Sequence, residues 1–267
     1  MKALRIAAIA TLSLIALCSL GGSLLPQFDY RAQDRQNVSV QPSAAHWLGS
    51  DALGRDRLAR LLHATRLSLL LAPAAAGLSI LLALLMGAGP GFAGGAVERA
   101  AKAAIDLMLS VPWLFLLLMV RAMLPLNTSP GASAVITFAI LGLLGWGVPA
   151  RILLARSRAL RQADFILLAR AAGVSRARLL WVHVTPNLGP VLLAQFWIAV
   201  PVFILAEANL SLLGLGVSEP MPSLGSLLRE MESALSLRGD LCVFAGFFVL
   251  LLVVGSLQVI VHQREVS

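Results

Sequence analysis

The amino-acid sequence predicts an all-α integral membrane protein with about six transmembrane helices. Three observations predict it. Of the 267 residues, 58% are hydrophobic and 13% are charged, where soluble domains average about 45–50% apolar and about 25% charged. The apolar residues fall in runs of about 20 or more, enough to cross a hydrocarbon core of about 30 Å. These runs are too long and too continuous for barrel strands, which leaves helices to satisfy the backbone in lipid.

The expected spans are Ile6–Leu25, Leu67–Phe92, Ala103–Leu124, Ala132–Leu153, Leu188–Leu213 and Leu241–Val261. The first follows Lys2 and Arg5 and ends in the small residues CSLGG, as a signal peptide would. Its length and the lack of an A-x-A site favour an uncleaved helix. Span three opens with Glu98, Lys102 and Asp106 at i, i+4 and i+8, positions that pair along one helix face. Gly87, Gly89 and Gly91 close span two without a flanking strand, so close helix packing explains them better than a nucleotide loop.

The net charge is +8. Its arginines lie between apolar blocks, which speaks for charge placement across a membrane rather than for nucleic acid. Seven arginines against Asp164 alone mark Arg151–Pro186 as cytoplasmic, which puts both termini on that side. Pro26–Arg66 mixes six arginines with four aspartates and is assigned outside. The expected division is 1–66, a first helix with an extracytoplasmic segment, and 67–267, a membrane domain whose cytoplasmic loop is 154–186. Cys18 and Cys242 sit far apart in apolar runs, with no metal or disulfide spacing. No Walker loop and no nucleophile with a base is visible, so no catalytic residue is expected.

The loop before span five carries the most information. Phe165, Leu168, Ala169 and Ala172 share one helical face. Gly173 suits a left-handed helix end, and Ser175 can cap a second helix that Pro186 limits. The product is a bent pair of short amphipathic helices outside the bilayer. From the residues alone, it lies on the membrane surface, in a partner's groove, or as a solvated loop.

With Ala169, Gly173 and Pro186 in register and Asn187 following, this loop resembles the signature of permease subunits in bacterial binding-protein-dependent ABC importers. His46, Leu48, Gly49, Asp51, Leu53, Gly54, Arg55, Asp56, Arg60 and Ser68 are similar to the C-type subunits of dipeptide, oligopeptide and nickel importers. So are Glu207, Leu210, Ser211, Gly214 and Gly216. The resemblance implies a MetI-like permease fold. It implies ATPase coupling through Leu167, Leu168, Ala169, Arg170, Gly173, Ser175, Arg176 and Pro186, and a translocation path near Glu207, Asn209 and Ser211.

It further implies a multi-pass protein of the bacterial inner membrane, among lipid, that imports dipeptides or oligopeptides and binds no cofactor itself. ATP would be used by two partner ATP-binding subunits, beside a second permease and an extracytoplasmic binding protein. The pattern departs at Leu167, where the family has glutamate, and at Leu168 and Thr185. The tail Val254–Ser267 lacks the usual Asp- and Arg-rich ending.

Some readings stay open. Glu207 either lines the path or is a paired group near the outer interface, with Arg121 a conceivable partner. Leu53, Leu58, Leu61 and Leu62 suggest a helix on the outer membrane face, a brace whose Arg55, Asp56 and Arg60 stay in the aqueous or headgroup zone. A secondary transporter would need more intramembrane carboxylates than are present. A scaffold that lost ATPase coupling is the other alternative, resting on Leu167 and the altered tail.

Overall fold

The computed structural model describes residues 2–123, 128–235 and 241–265. The described elements are helical. Helix α1 is Lys2–Gly22 and α2 is Arg57–Ala83, which runs through a π turn at Leu84–Ala88 into α3, Gly89–Ala93. Then come α4 (Gly95–Ser110), α5 (Trp113–Met123), α6 (Pro130–Leu144), α7 (Gly147–Arg161), α8 (Asp164–Ala171) and α9 (Arg176–Arg178). A second π turn, Leu179–Val184, leads into α10, Thr185–Leu212. Helix α11 is Leu224–Leu235 and α12 is Ala245–Glu265.

Five helical stretches are long and apolar enough to cross a membrane, or six if the bent pair α4 and α5 is one span. The pair explains the difference from a straight third span. It bends by 81°. Pro112 has no N–H and pushes the residue before it out of helical geometry; Val111 is extended, at φ −89° and ψ 130°. The Ser110 hydroxyl turns back to the Leu107 carbonyl at 2.7 Å. Leu124, the expected end of this span, lies outside the described residues.

The second span is longer than expected. Arg57–Ala93 is one stretch of 37 residues, about 55 Å at 1.5 Å per residue, so it outruns the hydrocarbon core. Leu58, Leu61 and Leu62 therefore lie on the same continuous helix as span two rather than on a separate surface helix, while Leu53 sits in a turn before it.

The described chain forms two compact units. One comprises Met1–Pro73, Arg121–Phe138 and Pro201–Ser267, the other Ala74–Val120 and Ala139–Val200. In the first, α1 packs along α12. In the second, α3 and α4 pack on α7 around a core that includes Phe92, Ile105, Leu153, Ile166, Leu179 and Leu188.

The second unit depends on two glycines four residues apart. A Cβ on Gly87 would strike the Ala150 backbone, and one on Gly91 would lie 2.6 Å from the Leu154 carbonyl oxygen. The small-residue pair lets two helix backbones touch; Gly89 meets nothing within 4 Å. Glu98 and Asp106 also point across to α7. Glu98 faces Arg158 at 3.4 Å and Arg161 at 3.2 Å, and Asp106 pairs with Arg151. Interhelical pairs thus replace the pairing expected along α4, because α7 presents guanidinium groups within reach of that face.

Candidate functional site

The loop before span five is built outward from one anchor. Ile166 is fully buried in the second unit's core, with Ala169 and Val174 packed against that core. Burying Ile166 turns its neighbours outward: Leu167 is 47% and Leu168 71% exposed, and Phe165 is exposed beside them. Arg170 and Arg176 are exposed as well. The result is an uncovered apolar strip bordered by guanidinium groups.

Gly173 ends α8 at φ +82°, the left-handed region where an L side chain is strained. Space around it is open, so backbone conformation alone calls for glycine. Ser175 then caps α9, its hydroxyl accepting the Arg178 N–H at 3.4 Å.

The second helix of the loop is not separate, contrary to expectation. Arg176–Leu212 is continuous, and Pro186 lies inside it. The π turn absorbs the proline. The Thr185 N–H and hydroxyl both donate to the Leu180 carbonyl, the hydroxyl at 2.9 Å, and Asn187 Nδ2 donates to the His183 carbonyl at 2.6 Å. A wide turn with side-chain donors is a recognised way for a helix to pass a break in its ladder. Trp181 and Val182 are exposed on this turn.

In the first unit, Glu207 and Ser211 come together and Asn209 does not join them. Glu207 is fully buried in α10 and accepts the Ser211 hydroxyl at 2.6 Å. Ser211 Oγ is 3.3 Å from Ser223 Oγ. Ser223 caps α11: its hydroxyl accepts the Ser226 N–H at 3.0 Å while Ser226 Oγ accepts the Ser223 N–H at 2.9 Å. This reciprocal arrangement is the logic of a capping box. Asn209, two residues from Glu207, is exposed on the opposite face of α10.

Arg121 is not the partner of Glu207. Its guanidinium donates to the Leu215 carbonyl at 3.0 Å, the Gly216 carbonyl at 3.2 Å and the Ser133 hydroxyl at 3.0 Å. It staples the turn after α10 to α6, donating to two carbonyls of that turn that lie beyond the helix.

Among the described residues, the densest charge cluster is one that the sequence left in pieces. Asp51 Oδ2 lies 2.6 Å from both Arg55 Nε and Arg60 Nη1. Arg55 reaches Glu219 at 2.6 Å, and Arg60 pairs with Glu230 on α11. Arg60 is fully buried and Arg55 nearly so, both covered by protein rather than open to solvent. Burial pushes the Asp51 carboxyl up, but the Arg55 and Leu53 N–H groups and the two guanidinium groups outweigh it and hold it below the usual aspartate value. Burial raises the Glu230 carboxyl, and Arg60 opposes that only in part. Glu219 and Glu230 escaped sequence reasoning because no local spacing links them to residues more than 150 positions earlier. The outer-segment motif was the only signal.

Comparison with known proteins agrees with this architecture. The family described as "Binding-protein-dependent transport system inner membrane component" matches residues 79–266. The oligopeptide transport system permease protein OppC of Mycobacterium bovis is 32% identical over 255 residues, covering 94% of this chain and 86% of that protein. OppC of Escherichia coli K12 is 32% identical over 250 residues, 92% of this chain and 81% of its own length. A putative peptide permease protein of Brucella ovis is 33% identical over 200 residues, 75% of this chain and 64% of that protein. The multi-pass helical architecture and these matches together establish that the chain belongs to the family of binding-protein-dependent transport system inner membrane components, the permease subunits of ABC importers.

Proposed function

We propose that this chain is the permease subunit of a peptide importer, forming half of a translocation pore and driven by ATP hydrolysis in separate subunits. Its partners are a second permease, two ATP-binding subunits and an extracytoplasmic binding protein. The chain lies in the bacterial inner membrane with both termini in the cytoplasm, the side assigned by the arginines of the loop before span five. The observation that carries the reading is the exposed strip of Phe165, Leu167 and Leu168 on an anchored helix, in a chain related over most of its length to proteins named as oligopeptide permeases.

An apolar strip of this kind docks in a partner's groove. Leu167 fits that role as a hydrophobic contact where the family carries a carboxylate, so the ATPase groove it meets is less basic there. Gly173 sets the angle between α8 and the following helix, and Ser175 starts that helix. Leu168, Arg170 and Arg176 border the same contact, and Ala169 seats α8 on the core beneath it. Pro186 sits within the helix that carries the loop's motion toward span five. Glu207 and Ser211 hold α10 against the start of α11 through Ser223, and Asn209, the exposed one of the three, is the residue the proposal assigns to the path.

The test is affinity purification of the tagged chain in mild detergent, with mass spectrometry of what accompanies it and an ATPase assay. An ATPase and a second permease, with peptide-stimulated hydrolysis, support the proposal. A lone chain under conditions that keep a related importer intact overturns it.

A further inference from the structure

A cavity of about 300 Å³ lies against α2 and α6 in the first unit, lined by Leu67, Leu70, Leu71 and Val135, with Tyr30, His63 and Arg66 among the residues around it. The three leucines fall at i, i+3 and i+4, with His63 and Arg66 one turn earlier on the same side of α2. Leu70 is 50% and Val135 57% exposed, so the groove opens sideways.

Its depth in the membrane follows from the helix ends that meet there. Arg66 Nη1 donates to Ser23 Oγ at 3.2 Å, and Ser23 follows the last residue of α1. Gly131 and Ala134 line the cavity from the first turns of α6. Two span ends and Arg66 thus mark one membrane–water boundary, with the leucines a turn deeper. The Tyr30 and His63 rings meet tilted by 54° with centres 4.6 Å apart, and Arg31 stands 5.3 Å over the Tyr30 ring. Aromatic rings with cations are the side chains found at the headgroup level. His63 Nδ1 is bound to the Ala59 carbonyl at 3.0 Å, which leaves Nε2 as the ring's other polar edge.

We propose that this groove is a phospholipid site, with an acyl chain along Leu67, Leu70, Leu71 and Val135 and an anionic headgroup against Arg66. The charge decides the occupant. A partner helix would need only the apolar wall, whereas a cation at the boundary above a laterally open apolar groove matches a phosphate joined to a chain.

The experiment uses the full chain purified from its membrane with the subunits that accompany it. The preparation is exchanged against equal amounts of phosphatidylglycerol and phosphatidylcholine, and retained lipid is read by native mass spectrometry. The parent is expected to retain phosphatidylglycerol in preference. Arg66→Gln lowers that preference about fivefold, the factor for one basic residue at an anionic surface, and Arg66→Lys keeps it. Val135→Trp, at an exposed position, fills the groove and lowers retention of both lipids without loss of monodispersity. Retention in both Arg66→Gln and Val135→Trp equal to the parent's overturns the proposal. So does a photocrosslinker at position 70 that captures a polypeptide instead of lipid.

Discussion

Arg60 is fully buried, and its Nη1 lies 2.6 Å from Asp51 Oδ2, the same oxygen that Arg55 approaches at 2.6 Å. One carboxylate is therefore shared by two buried guanidinium groups, Arg55 just ahead of α2 and Arg60 in its first turn. Asp51→Asn keeps the shape and removes the charge. Breaking a buried pair from one side costs about 3–5 kcal/mol, so thermal unfolding of the detergent-solubilised protein should shift down sharply. An unchanged transition would mean that Glu219 and Glu230 suffice.

The same cluster sets a pH dependence with two opposed parts. Asp51 is held below its ordinary value, so its contribution is present above about pH 3.9 and is lost as pH falls through the lower folded value. Glu230 is raised, so its contribution is present below about pH 4.3 and is lost as pH climbs through its higher folded value. Glu230→Gln should flatten the upper part of a stability profile and leave the acid limb in place. Melting curves across pH 3 to 8 would read both limbs.

Gly87 and Gly91 carry a packing prediction with an internal control. Gly91→Ala pushes a Cβ to within 2.6 Å of the Leu154 carbonyl oxygen and should cost about 1–3 kcal/mol, the range for overpacking. Gly89→Ala meets nothing within 4 Å on a helical backbone and should be neutral or stabilising by up to about 1 kcal/mol. Equal effects in a thermal-stability assay would contradict the close approach.

Gly173→Ala should cost about 1–2 kcal/mol at a left-handed position with no steric neighbour. Gly173→Asn should cost less, because asparagine tolerates that region. Peptide uptake in whole cells should follow the same order. A fully active Gly173→Val would show that the angle after α8 is not critical.

Leu167→Glu separates folding from coupling. The side chain is 47% exposed, so the stability should stay within about 0.5 kcal/mol of the parent's. ATP-driven uptake with the chain's own ATPase should fall, because a charge replaces an apolar contact. Uptake equal to the parent's would remove Leu167 from the docking surface.

Much of this architecture was legible along the chain because lipid imposes a local rule. A span must be a long apolar run, and glycine, serine and proline mark helix ends through their own backbone chemistry. The spans, the Gly173 turn and the Ser175 cap follow from that rule. The helix running through Pro186 and the bend within the third span were not legible. A π turn carried the helix past one proline, while at Pro112 an extended Val111 bent the span by 81°. Local propensity alone does not distinguish these two outcomes.

Composition and periodicity were thus enough for a multi-pass helical protein, and motif order for a permease, since both depend on neighbours within a few turns. The partners of Arg55, Arg60, Glu207 and Arg121 were set by folding. Arg55 and Glu219 stand 164 positions apart, and whether a buried charge meets a carboxylate, a hydroxyl or a free carbonyl depends on which helix end packs beside it.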